Sequence, residues 1–323
     1  MSFEPTLRLF FPTRPPSSRR FWTVLLTLLV VGCAAGSETS WKRHAPSPAP
    51  RTELAAAVVG SSIVAVGGFA PTGANTARTD AYSIVEDRWR RLPDLPVAVD
   101  HAAATSAGGR AYVIGGYGAD RRPLRAAYVL ERGRWRALVR PPEARAAAAA
   151  AIANGILYVV GGVDERRGLA RVALALDLRS GRWSRVPGPS PREHLAAAAS
   201  NGRVYALGGR DAGYDTNVAL VETLAPGARQ WTRLPALPHA RGGTGAAVVS
   251  GRLLSVGGEE PEGTIASVYA YRPSERRWRR LADLPTPRHG LGVVAHRGRV
   301  FVVGGGPEPG LTTSGAVESL AIP

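Results

Sequence analysis

The stretch "ILYVVGGVDERRG", residues 156–168, runs an apolar segment into Gly161-Gly162 and then into charge. Taken alone it has two readings: a strand feeding a glycine-rich phosphate loop, or a buried strand that ends at a tight spot. Repetition decides between them. "AVGG" ends at Gly68, "VIGG" at Gly116, "VVGG" at Gly162, "ALGG" at Gly209, "SVGG" at Gly258 and "VVGG" at Gly305, in steps of 48, 46, 47, 49 and 47 residues. Trp41, Trp89, Trp135, Trp183, Trp231 and Trp278 keep the same beat. A phosphate loop has no reason to recur six times at this period, whereas a stacked structural unit does.

Each unit reads as four strands. A small-residue run such as "LAAAAS" (195–200) comes first, followed by a two-residue turn of the kind favoured in tight hairpins, for example Asn154-Gly155 or Asn201-Gly202. The second strand is apolar and ends in the glycine pair, as in "RVYALGG" (203–209). A variable loop leads to a third strand such as "ASVYAYR" (266–272). The fourth carries the tryptophan, as in "RRWRRL" (276–281), before a proline-rich link such as "PDLPV" (93–97). Six four-stranded sheets, none able to bury both faces alone, predict an all-β propeller. Glycine at the pairs permits positive φ and close backbone approach, and tryptophan supplies a wedge between sheets.

A strand ending in Gly-Gly, a hydrophobic third strand, then Trp and "LP" resembles the kelch repeat, and the resemblance covers residues 39–323. It implies a six-bladed β-propeller with an arginine opening each first strand. Sixteen residues before each first glycine stand Arg51, Val99, Arg145, Arg192, Arg241 and Arg288, so the second unit departs from the pattern. Such arginines either satisfy backbone carbonyls at blade junctions or bind an acidic ligand. Trp41 precedes any first strand, and the last unit ends after its third, "GAVESLAI" (315–322). The stretch around "SWKR" is therefore expected to supply the sixth blade's outer strand and close the ring.

Residues 1–32 read as a leader of lipoprotein type. Arg14, Arg19 and Arg20 precede "FWTVLLTLLVV" (21–31), a run too short to span a bilayer comfortably. The run ends at Gly32-Cys33, and Cys33 is the chain's one cysteine, which resembles a lipidation site. Residues 33–38 then form a short linker to the propeller. The expected location is the bacterial cell envelope, with the membrane contacted through the lipid alone and the long-loop face turned outward. One cysteine allows no intrachain disulfide.

The chain carries a formal charge of +16, but its basic residues lack the blocks or aromatic interleaving of a nucleic-acid groove, and that partner class is excluded. The loops after the glycine pairs and the entries to the first strands share one face, and in kelch proteins ligands usually meet that face. Its mouth is expected to be lined by residues just after the pairs, among them Phe69, Tyr117, Arg210 and Glu259. Residues two past the arginine position, among them Glu53, His101 and His194, should also reach it; Arg192 is the candidate from the arginine ring. A carboxylate with an imidazole can do acid–base work, but His101 and His194 belong to blades two and four and are expected to stand apart. The spacing shows no metal-ligand or nucleophile pattern, so no metal, cofactor or catalytic residue is assigned. "DERR" (164–167) and "EEPE" (259–262) read as solvated loop tips, the latter without the spaced ligands of a calcium loop.

These readings favour a non-enzymatic binding module for a protein or glycan ligand of acidic character. The alternative is a carbohydrate-active kelch enzyme such as a sialic-acid mutarotase or epimerase, with Glu53, His101, His194 and Arg192 as its polar groups. Copper radical oxidase chemistry needs a cysteine cross-linked to a tyrosine, and Cys33 lies at the leader boundary.

Overall fold

The computed structural model describes residues 40–323 together with Met1. The leader expectations, Cys33 included, lie outside the described residues. Among the described residues there is no helix. Six four-stranded antiparallel sheets follow one another along the chain. Blade 1 comprises Ala55–Val59, Ser62–Val66, Thr79–Ser83 and Arg88–Arg91, in that spatial order. Blades 2 to 5 repeat the order over residues 103–137, 149–187, 196–233 and 245–280. The hairpin turns at Asn154-Gly155, Asn201-Gly202, Ser250-Gly251 and Arg297-Gly298 have positive φ at both positions, the mirror-image geometry that suits strand twist.

Blade 6 takes three strands from residues 292–321 and its outer strand from the other end of the described chain. Lys42–His44 pairs antiparallel with Val317–Ala321, Lys42 opposite Ser319 and His44 opposite Val317. This is the expected clasp, and it leaves no free edge between the ends.

The tryptophans fill the gaps between neighbouring blades. Trp89 packs between blades 6 and 1, Trp135 between 1 and 2, Trp183 between 2 and 3, and Trp41 between 5 and 6. Each indole N–H also donates to a carbonyl in the preceding blade's link: Trp89 to Ala45, Trp183 to Val139, Trp231 to Pro187 and Trp278 to Pro235, at 2.8–2.9 Å. Trp41 repeats the bond to Ala282 at 3.0 Å and so closes the series. A wide ring fills the wedge, and its one polar atom finds the partner that burial demands.

The glycine pairs and the arginines form a second, inner set of junctions. The second glycine of each pair donates its N–H to the carbonyl at the next blade's arginine position, from Gly68 to Val99 around to Gly305 and Arg51, at 2.8–3.0 Å. The first glycine must let that carbonyl pass. At Gly115, φ is +67° and a Cβ would lie 2.0 Å from the Arg145 oxygen. Arg51, Arg145, Arg192, Arg241 and Arg288 are all fully buried, which corrects the placing of Arg192 at the mouth. Arg192 donates to the carbonyls of Gly208, Ser190 and Ala206 and to Glu222. Arg288 does the same with Gly304, Thr286, Val302 and Glu318. These arginines tie the entry of the first strand to the second and third strands, which is the carbonyl-satisfying alternative of the two readings.

Candidate functional site

The residues two past the arginine position form the narrow ring of the central channel. Glu53, His101, Ala147 and His194 have φ of 50–52°, and Gly243 and Gly290 complete the six at 59° and 58°. Their peptides are linked in sequence around the axis: the N–H of His101 donates to the Glu53 carbonyl, Ala147 to His101, His194 to Ala147, Gly243 to His194 and Gly290 to Gly243, at 2.9–3.0 Å. A left-handed backbone is costly for any residue with a Cβ, and only two blades relieve it with glycine. Gly290 also makes room, since a Cβ there would sit 2.5 Å from the Glu53 carboxylate.

The expectation that the two histidines stand apart is overturned. Their rings meet at the axis, centroids 4.7 Å apart and nearly perpendicular. Position around a ring says little about separation when the ring is this narrow and the side chains point inward. Glu53 joins them, with Oε2 3.3 Å from His101 Nε2. Glu53, His101 and His194 line a cavity of about 110 Å³ together with Ala147, Gly243 and Gly290. Below it, toward the hairpin turns, the channel opens into about 270 Å³ lined by the first strands, chiefly alanine and valine.

Around this group lies a charged network that the sequence reading reached only in part. Asp100 Oδ1 accepts from His101 Nδ1 at 2.6 Å, and a Glu193 carboxylate oxygen accepts from His194 Nδ1. Arg121 clamps Asp100 with contacts of 2.7 and 2.8 Å. His289 Nδ1 sits 3.2 Å from Glu53 and 3.3 Å from Glu259, while Arg210 holds Glu259 at 2.5 Å. Asp100, Glu193 and His289 stand one past the arginine position, and each pairs across with the residue after its own blade's glycine pair. Two acid–histidine dipeptides, Asp100-His101 and Glu193-His194, were the available signal.

Burial lowers the readiness of His101 to be charged, but Glu53 and Asp100 outweigh it and raise its pKa above the ordinary histidine value. His289 is raised likewise, against burial, by Glu53 and Glu259. Burial would raise Glu53, yet the neighbouring His101 and His289 hold it well below the carboxylate range. Tyr117 is pushed up to about 12 by burial and then by the Glu193 charge. The network thus sets carboxylates against imidazoles, with Glu53 and Glu193 held, against burial, below the ordinary carboxylate value by the histidines beside them.

Nearer the rim, Arg121 stacks on Phe69 and Tyr117, its guanidinium carbon 5.1 and 4.8 Å from the ring centroids, with half its side chain in solvent. Arg210 and Glu259 are buried against each other, so Glu259 is no solvated loop tip. It opens a small hairpin in which Glu259–Glu260 pairs with Gly263–Thr264. The "DERR" loop is exposed from Glu165 onward, and the Arg167 charge reaches Tyr117 at the rim.

Comparison with known sequences places this geometry in a family. The KLHDC2/KLHL20/DRC7 Kelch-repeats domain matches residues 100–305, and a Kelch motif matches residues 50–96. The chain belongs to the kelch-repeat family of β-propellers. It is similar to the Kelch-like protein terF of Aspergillus terreus, 29% identical over 240 residues, which cover 68% of this chain and 52% of the relative. It also resembles Kelch domain-containing protein 8B of Rattus norvegicus, 32% identical over 81 residues, 25% of this chain and 23% of that one. The chain spans about half the length or less of these curated relatives.

Proposed function

We propose that this propeller is an interaction module that receives an acidic segment of a protein partner on its long-loop face. Arg121 carries the reading. Its guanidinium is held by buried Asp100 and stacked on Phe69 and Tyr117, yet half of the Arg121 side chain remains open to solvent. An arginine fixed on an aromatic floor is a pre-organised carboxylate receptor, and such anchors dominate binding energy at interfaces. The glycan and mutarotase readings find less support. The cavity of about 110 Å³ at the ring falls short of the roughly 300–1,000 Å³ typical of small-molecule pockets. Arg192, the residue asked to grip a sugar carboxylate, is wholly buried and engaged. The leader features, an arginine-flanked apolar run ending at Cys33, support a further proposal that the module is lipid-anchored at the cell envelope.

Photo-crosslinking tests the face. A photoreactive residue at Arg122 or Arg166 should give the same discrete adduct, lost on R121A, while one at Asn201 or Arg276 on the turn side should give none. Adducts from the turn side alone, or adducts indifferent to R121A, would refute the proposal.

A further inference from the structure

We infer that Glu53, His101 and His194 form a binding site for one divalent transition-metal ion of the zinc class at the axis of the propeller. The side-chain ligand atoms of the three all lie within 4.8 Å of one another. Ligand atoms sharing one such ion, at bond lengths of about 2.0–2.1 Å, stand roughly 3–3.4 Å apart, so a small inward movement assembles the set. Two imidazoles and a carboxylate suit zinc and its neighbours rather than calcium or magnesium, which prefer all-oxygen sets.

The surroundings orient the imidazoles for this task. Asp100 and Glu193 hold each ring by Nδ1, and in His101 this turns Nε2 toward Glu53, where a bound ion would displace any proton that Nε2 carries. This carboxylate–histidine support is the outer shell that metal-binding histidines regularly use. Asp100 is itself fixed by Arg121. Three protein ligands leave a fourth position open toward the ring cavity, the arrangement of reactive rather than purely structural zinc sites.

A second cluster, Glu53, Glu259 and His289, has comparable spacing. It is the poorer choice because the Arg210 guanidinium sits 2.5 Å from Glu259 Oε1, the oxygen 3.3 Å from His289 Nδ1, and its charge repels a cation there. One Glu259 oxygen, Oε2, is buried without a hydrogen-bond partner among the described residues, so this side of the network retains acceptor capacity. The two clusters share Glu53, and substitution of the remaining members separates them. The inference is independent of any protein partner at the rim.

The test uses the full chain, stripped with a chelator and titrated with ZnCl2 and with CoCl2. The expected result is one ion per chain, a higher Tm with zinc, and visible cobalt bands of a nitrogen–oxygen site. E53Q, H101Q and H194Q should each weaken binding at least about tenfold, D100N by about 10–100-fold, and H289Q by less than about threefold. Absence of binding, or weakening by H289Q but not by H194Q, would overturn the assignment. If a ligand variant loses its native circular dichroism, D100N decides: altered cobalt bands support the site, and bands identical to wild type overturn it.

Discussion

The blade junctions and the channel mouth are built on the same repeat, yet they follow opposite rules. At the junctions, each gap receives a tryptophan and a glycine-pair N–H bond, and five of six blades add a buried arginine that ties their own strands together behind that bond. At the mouth, the corresponding positions carry Glu53, His101, Ala147, His194, Gly243 and Gly290, with no two neighbouring blades alike except the glycines. Identity is kept where every blade must solve the same packing problem. Variety appears where five backbone bonds already link the six blades in sequence, so that the side chains need not repeat. Blade 2 shows the limit of the first rule, since Val99 stands at the arginine position, fully buried, and its carbonyl still receives the Gly68 N–H.

The largest expected effect is therefore at a junction. R288A should cost about 3–5 kcal/mol, because it leaves buried Glu318 with only exposed Arg43 at 3.8 Å as an ion partner and takes a donor from the carbonyls of Gly304, Thr286 and Val302. Urea denaturation measures it, and a loss below about 1 kcal/mol would break the distinction between the two regions. At the mouth, a substitution with no chemistry should act the other way. A147G should stabilise slightly, by about 0.5 kcal/mol, since glycine accepts the left-handed backbone that alanine strains to adopt, less its greater freedom when unfolded. Destabilisation by more than about 1 kcal/mol would show that the Ala147 side chain supports the ring after all.

The same contrast explains what the sequence made legible. Six glycine pairs and six tryptophans at a steady period disclosed the propeller, its strand order and the clasp at Lys42–His44, because junction residues repeat. The mouth residues do not repeat, and only their offset from the arginines located Glu53, His101 and His194. Their meeting was hidden because His101 and His194 approach across the axis, a distance that no count along the chain records. His289 was passed over because it lies one residue short of that offset, next to Arg288, and reaches Glu53 from a blade adjoining it through the closure. Arg192 was misplaced for the reverse reason: its repeated position marked it as a junction residue, and its charge invited a ligand.

The central claim is that junction residues hold the fold and mouth residues are free to serve a ligand. The most direct test is the urea-denaturation stability of the metal-free H101A/H194A double variant beside wild type and R288A. Blade 3 already carries alanine at this position in the same conformation, and Arg121 still faces Asp100 and His289 still faces Glu53 after the change, so the double variant should lose about 1–2 kcal/mol, clearly less than R288A. A loss of about 3 kcal/mol or more, matching R288A, would contradict the account and make the paired histidines part of the scaffold.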